Sequence, residues 1–148
     1  MEAAPLNANR KQALLAYMRN LGCGVVSTSG TDHAPEAAFV NLAVTDDLEL
    51  IFETLNTSRK YRNLRRDPRI AVVMGGSGDK TVQLEGMARE LFDSELDGLK
   101  ASYYDQCPNN LPHSNWPGVT YIRIQPRWIR FSNYGMPWKV EEFFLGRV

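Results

Sequence analysis

The sequence is poor in the features that mark specialised classes of protein. It has two cysteines, Cys23 and Cys107, and neither belongs to a CxxC pair, so a disulfide framework is excluded and both read as free thiols. No two of Cys107, His33 and His113 stand at the short spacing of a zinc site, and no metal is expected. No apolar run approaches the roughly eighteen residues a membrane span needs, so no membrane partner is expected. The opening MEAAPLNANRKQALL lacks the basic-then-apolar order of a secretory signal, so a cytoplasmic location is the expectation. Charge of either sign is lacking in excess: 17 Lys and Arg balance 17 Asp and Glu, with a sequence pI of about 6.7. That balance argues against nucleic acid as a partner, because duplex affinity needs many phosphate contacts from a basic face.

What is present is a chain of 148 residues with 43% hydrophobic and 23% charged residues, which suits one soluble folded domain over 1–148. Leu14, Tyr17, Met18 and Leu21 recur at helical spacing between an Asn7 cap and a Gly22 stop, predicting an amphipathic helix. The runs CGVVSTS, EAAFVNLAV, LELIFET and RIAVVM are rich in β-formers and are separated by turn chemistry. In TVQLEGMARELF, Val82, Leu84 and Ala88 alternate with Gln83, Glu85 and Arg89, giving one core face and one polar face. DSELDGLKASYYDQ reads as a helix capped by Asp93 or Ser94, and CPNNLPHSNWPG as a surface loop. In VTYIRIQPRWIRFSN the apolar parity switches at Gln125 and Pro126, which predicts a bulge or corner. These six strand runs with few intervening helices predict a mainly β protein. The expected form is an antiparallel split β-barrel with an N-terminal helix and short connecting helices.

The positive charge is unevenly placed: TLNTSRKYRNLRRDPR, residues 54–69, holds six of the 17 cations. SRKYRNLRR reads as a short helix entered at Thr57 or Ser58 and cut off before Pro68. Arg59 and Lys60 in its first turn oppose the helix dipole, at about 0.3 to 1 kcal/mol per charge, so a negative group is expected beside them. A phosphate would serve, held by backbone amides, the Thr54 and Ser58 hydroxyls and the two cations. A solvated charged face with Asp67 nearby is the plainer alternative. His33 reads as solvent-facing and Cys23 as a buried strand residue. GGSGDKT at 75–81 reads as a hairpin loop, because its Gly and Lys are not adjacent as a P-loop requires.

IFETLNTSRKYRNLRRDPRIAVVM followed by TVQLEG resembles the flavin-binding signature of the pyridoxamine 5'-phosphate oxidase-like family of FMN split barrels. The resemblance spans roughly residues 10 to 133. It implies FMN as cofactor, with Thr54, Ser58, Arg59 and Lys60 holding its phosphate and Gln83 bonding toward the flavin. It also implies a homodimer, with flavin in a groove between two barrels, and oxidoreductase chemistry on a small molecule. Departures are equally plain: Ala38 and Ala43 stand where the B6 oxidases carry Arg and Lys, and PRWIRFS is followed by NYGMPWKVEEFFLGRV without their Arg-Leu-His tail. A true pyridoxamine phosphate oxidase is therefore the less favoured reading. Two further readings stay open, a deazaflavin- or haem-binding relative and a non-catalytic flavin-binding stress-response module. Trp116, Arg130, Tyr134 and Trp138 are candidates to line a substrate or flavin pocket. No Ser/His/Asp or Cys/His constellation is evident, which suits a protein whose cofactor carries the chemistry.

Overall fold

The computed structural model describes residues 5–76 and 78–146. Helix α1 spans Ala8–Leu21; the Asn7 side chain accepts from the Arg10 amide, and Gly22 takes the left-handed conformation (φ 63°) that ends it. Leu14, Leu15 and Met18 on its inner side enter the core. Eight strands follow in one antiparallel sheet: β1 (Cys23–Ser29), β2 (Pro35–Asn41), β3 (Ala43–Val44), β4 (Leu50–Leu55), β5 (Arg69–Gly75), β6 (Lys80–Glu90), β7 (Val119–Asn133) and β8 (Lys139–Phe144). Their spatial order is β2-β1-β5-β6-β7-β4-β3, with β8 beside β7. The sheet curls into a split barrel, and β2 packs near β4 without pairing to it.

The barrel interior is filled by Val26, Leu50, Phe52, Val72, Met74, Val82, Leu84, Ile122, Ile124 and Ile129, capped by α1. A second cluster of Ile51, Leu91, Tyr103, Cys107 and Tyr121 lies under α3 (Asp93–Gln106). This explains the unbroken apolar run of β4: Leu50 and Phe52 face the barrel, while Ile51 faces α3, so both faces are covered. Helix α2 (Arg59–Arg66) crosses between β4 and β5.

The parity switch in β7 is a bulge. Glu85 pairs with Trp128 and Gly86 with Pro126, which leaves Arg127 without a partner on β6. A Cβ at Gly86 would meet the Gln125 carbonyl oxygen at 2.2 Å, so only glycine lets β6 pass so close to the bend.

Several expectations need correcting. EAAFVNLAV breaks at Leu42 into β2 and β3. Neither Asp93 nor Ser94 caps α3: Phe92 occupies the cap position with no side-chain bond, and Asp93 itself has φ 51°. Residues 108–115 form a 3-10 segment with Asn110 buried, because Asn110 donates to Tyr103 and accepts from Asn41. Cys23 is half-buried rather than buried, and β8 was not anticipated. No helix among the described residues is long and apolar enough to cross a membrane.

Candidate functional site

The start of α2 brings four of the predicted residues together. The Ser58 hydroxyl caps the helix by accepting from the Tyr61 amide at 3.2 Å, and it shares a 2.8 Å hydrogen bond with Thr54 at the end of β4. Capping uses the Tyr61 amide, while the Arg59 and Lys60 amides, first in the helix, have no intrahelical acceptor. With the two hydroxyls and the two cationic side chains they make up a donor set suited to a phosphate. Arg59 and Lys60 line a cavity of about 480 Å³ with Thr28, Glu36, Ala37 and Ala38. Lys60 also lines a second cavity of about 280 Å³, with Thr54, Phe39, Glu53, His113 and Trp116. Burial of Lys60 lowers the pKa of its ammonium, a shift that a bound anion would oppose.

The negative group that the helix dipole called for is present in the fold: Glu36 on β2 pairs with Arg59 at 2.8 Å. Sequence reading missed it, because Glu36 lies 23 residues upstream on another strand and carries no local signal.

The other candidates are dispersed. Trp116 joins Thr54 and Lys60 at the second cavity and stacks on His113, with ring centroids 4.2 Å apart. Gln83 does not face the start of α2. It is exposed on the outer side of β6, between Val73 and Arg130 in the cross-strand register. Arg130 lies 3.9 Å from Glu142 of β8. Tyr134 and Trp138 are exposed at the turn between β7 and β8 and line neither cavity. His33 is exposed in the turn at 31–33.

Two further groups at the second cavity escaped the sequence reading. His113 Nδ1 lies 2.8 Å from Glu53 Oε1, and the Glu53 side chain is only 8% exposed. Behind it Tyr104 reaches Glu53 Oε2 at 3.4 Å and shares a short hydrogen bond with Tyr121. Burial raises the pKa of the Tyr103 and Tyr104 phenols, which keeps both protonated, and pushes the Cys107 thiol up to about 11.

Comparison with known proteins gives a consistent picture. Residues 11–133 match the family described as pyridoxamine 5'-phosphate oxidase. No curated protein matches the chain. Among solved structures, the haem-binding protein from Mycobacterium smegmatis is similar at 18% identity and a TM-score of 0.77, over 96% of this chain and 60% of that one. The present chain thus spans about three-fifths of that relative's length. General Stress Protein 26 from Bacillus anthracis str. Sterne is 24% identical with a TM-score of 0.73, over 91% of this chain and 98% of that one. A pyridoxamine 5'-phosphate oxidase-related, FMN-binding protein from Nostoc punctiforme is 11% identical with a TM-score of 0.64, over 96% and 98%. These likenesses establish a shared fold. With the split barrel, the cluster at the start of α2 and the match over 11–133 all in agreement, the chain belongs to the pyridoxamine 5'-phosphate oxidase family.

Proposed function

We propose that the protein is an FMN-binding oxidoreductase acting on a small molecule, with the flavin phosphate seated at the start of α2. The observation that carries this reading is the convergence there of the Thr54 and Ser58 hydroxyls, the Arg59 and Lys60 side chains and two unpaired helix amides. Bound FMN would supply the hydride or electron chemistry, and the chain would bind, orient and shield it. Arg59 would turn from Glu36 toward the phosphate or bridge the two.

The proposal includes a homodimer. Gln83 is turned away from the cradle of its own chain, so its proposed flavin contact is made across the interface, to a cofactor anchored by the other protomer. Exposed Val73 beside it, with Val25 and Phe39 farther along the same cross-strand row, would supply the apolar surface for that contact.

The test is the visible absorption spectrum of the purified protein, followed by titration with FMN and, separately, FAD, deazaflavin and haem. Saturable FMN binding at about one site per chain is expected. The double substitution Arg59→Ala, Lys60→Ala should leave the fold intact and weaken FMN by about 100-fold or more, since two charge-assisted hydrogen bonds at about 1.5 to 3 kcal/mol each are removed. Tight binding of haem or deazaflavin with none of FMN, or full affinity in the folded double variant, would overturn the reading. Turnover of pyridoxamine phosphate under oxygen would instead assign the B6 reaction.

A further inference from the structure

Glu53 presents a physical problem. Its side chain is 8% exposed, yet among the described residues no Lys or Arg forms an ion pair with it. A buried carboxylate without a cation is costly, and donors must compensate for the water it has lost. Here Oε2 faces the Tyr104 hydroxyl at 3.4 Å and Oε1 faces His113 Nδ1 at 2.8 Å. Of these two partners, only His113 can carry a positive charge. The imidazole sits at the boundary between this carboxylate and the cavity that Thr54, Lys60 and Trp116 also line, and Trp116 packs against the ring and restricts its rotation. An imidazole whose Nδ1–H is donated to a carboxylate has Nε2 as its proton-exchanging atom.

We propose that His113 is the proton donor and acceptor for the ligand in this cavity, with Glu53 as the residue that fixes its tautomer and orientation. The proposal deepens the flavin reading and rests on it for the identity of the reaction served. The step is a proton transfer alone. The N–H bond at Nε2 breaks as an O–H or N–H bond forms on the ligand, and the electron pair of the broken bond stays on Nε2; the reverse step restores it. The ligand class is a flat compound bearing an oxygen or nitrogen that gains a proton when reduced, placed where Trp116 and Phe39 offer ring surfaces. The groups around His113 are Glu53 from β4, Lys60 from α2, Tyr104 from α3 and, behind it, Tyr121 from β7. The neutral Asn110 and Asn41 complete the wall. Glu53 is the single carboxylate among the residues lining this cavity, so a proton held there has one acidic partner.

The chain has two histidines, and exposed His33 serves as an internal control. Nitrogen-15 NMR of the FMN-free protein, assigned with His113→Gln, should show neutral His113 as the Nδ1–H tautomer and lose that bias in Glu53→Gln. His33 should not change. The second arm uses menadione as the probe and measures its reduction by the reduced, FMN-loaded protein across pH. Measured at saturating FMN, His113→Gln should slow the reduction by about 100-fold or more and abolish the pH-dependent limb of the profile. Glu53→Gln should lower kcat more than it raises KM. Neutral His113 in the Nε2–H form, or a wild-type rate and profile in FMN-loaded His113→Gln, would overturn the proposal. Failure of the wild type to bind FMN would defeat the flavin reading, while the tautomer measurement would still decide the dyad.

Discussion

Arg59 is paired within the fold, and its partner is more buried than it is. Its side chain is 77% exposed while that of Glu36 is 18% exposed, so the guanidinium is the freer member and can move without unpacking β2. A phosphate placed at the start of α2 competes with Glu36 for this cation and is repelled by the carboxylate. Glu36→Gln should therefore tighten FMN binding several-fold, where an ordinary surface substitution would leave it unchanged; isothermal titration of the two proteins measures this. A loosened or unaltered affinity would mean that Arg59 is not part of the anchor. The second residue-scale prediction concerns Asp67, just past the end of α2. Hydrogen bonds from the Arg69 side chain and amide hold its pKa down, from 3.8 to about 2. A carboxyl whose folded pKa is depressed stabilises the fold above its ordinary pKa, and that contribution is lost as pH falls through the folded value. Asp67→Asn should thus lower Tm at pH 6, and the gap to wild type should narrow as pH falls from about 4 toward 2 and close below that. A gap that persists at the lowest pH would show that geometry, not charge, is what Asp67 supplies.

Elements whose ends are made by their own neighbours in sequence were readable in advance. Asn7 and Gly22 bound α1, and Ser58 and Pro68 bound α2, because caps and breakers act over three or four residues. The bulge in β7 was readable for the same reason, since Pro126 and the parity switch are local. β8 was not. Its Glu141 and Glu142 spoil the alternation, and what makes it a strand is pairing with β7 together with burial of Phe143. The start of α3 departs from the expected cap, since Asp93 sits at φ 51° and Phe92 holds the cap position with no side-chain bond. Two glycines test how far these elements depend on contact. Gly86→Ala drives a Cβ against the Gln125 backbone and should cost about 2 to 4 kcal/mol or abolish folding. Gly98→Ala lies within α3 with nothing inside 4 Å of the new Cβ, so the lower backbone entropy of alanine should stabilise by about 0.4 to 1 kcal/mol. Urea denaturation of both variants checks the contrast, and equal effects would contradict the close approach at the bulge.

At the scale of the molecule, residues far apart in sequence line up across the outer face of the sheet. Phe39, Val25, Val73, Gln83, Arg130 and Glu142 are successive cross-strand partners on β2, β1, β5, β6, β7 and β8. The first three are 70%, 39% and 46% exposed, so one end of the row is an uncovered apolar strip and the other is polar. No local pattern announces this row, because each strand contributes a single residue and only the register joins them. The same limit hid Glu36, Glu53 and His113, whereas Thr54, Ser58, Arg59 and Lys60 were legible as one short segment. Phe39 belongs both to the strip and to the cavity shared by Lys60, His113 and Trp116, so a second protomer docked on the strip would also close that cavity. Val73 separates the two effects, since it is exposed at the middle of the row and lines neither cavity. Wild-type protein should elute at twice the 16.7 kDa chain mass by light scattering. Val73→Glu places a charge on the apolar strip and should give monomer with an unchanged circular dichroism spectrum. If flavin is held between two protomers, that monomer should also lose about tenfold or more in FMN affinity with every residue of the anchor untouched, and Gln83→Ala should lose affinity while remaining dimeric. A Val73→Glu monomer that binds FMN as tightly as wild type would mean that one chain holds the cofactor alone, and Gln83 would then have no role in its site.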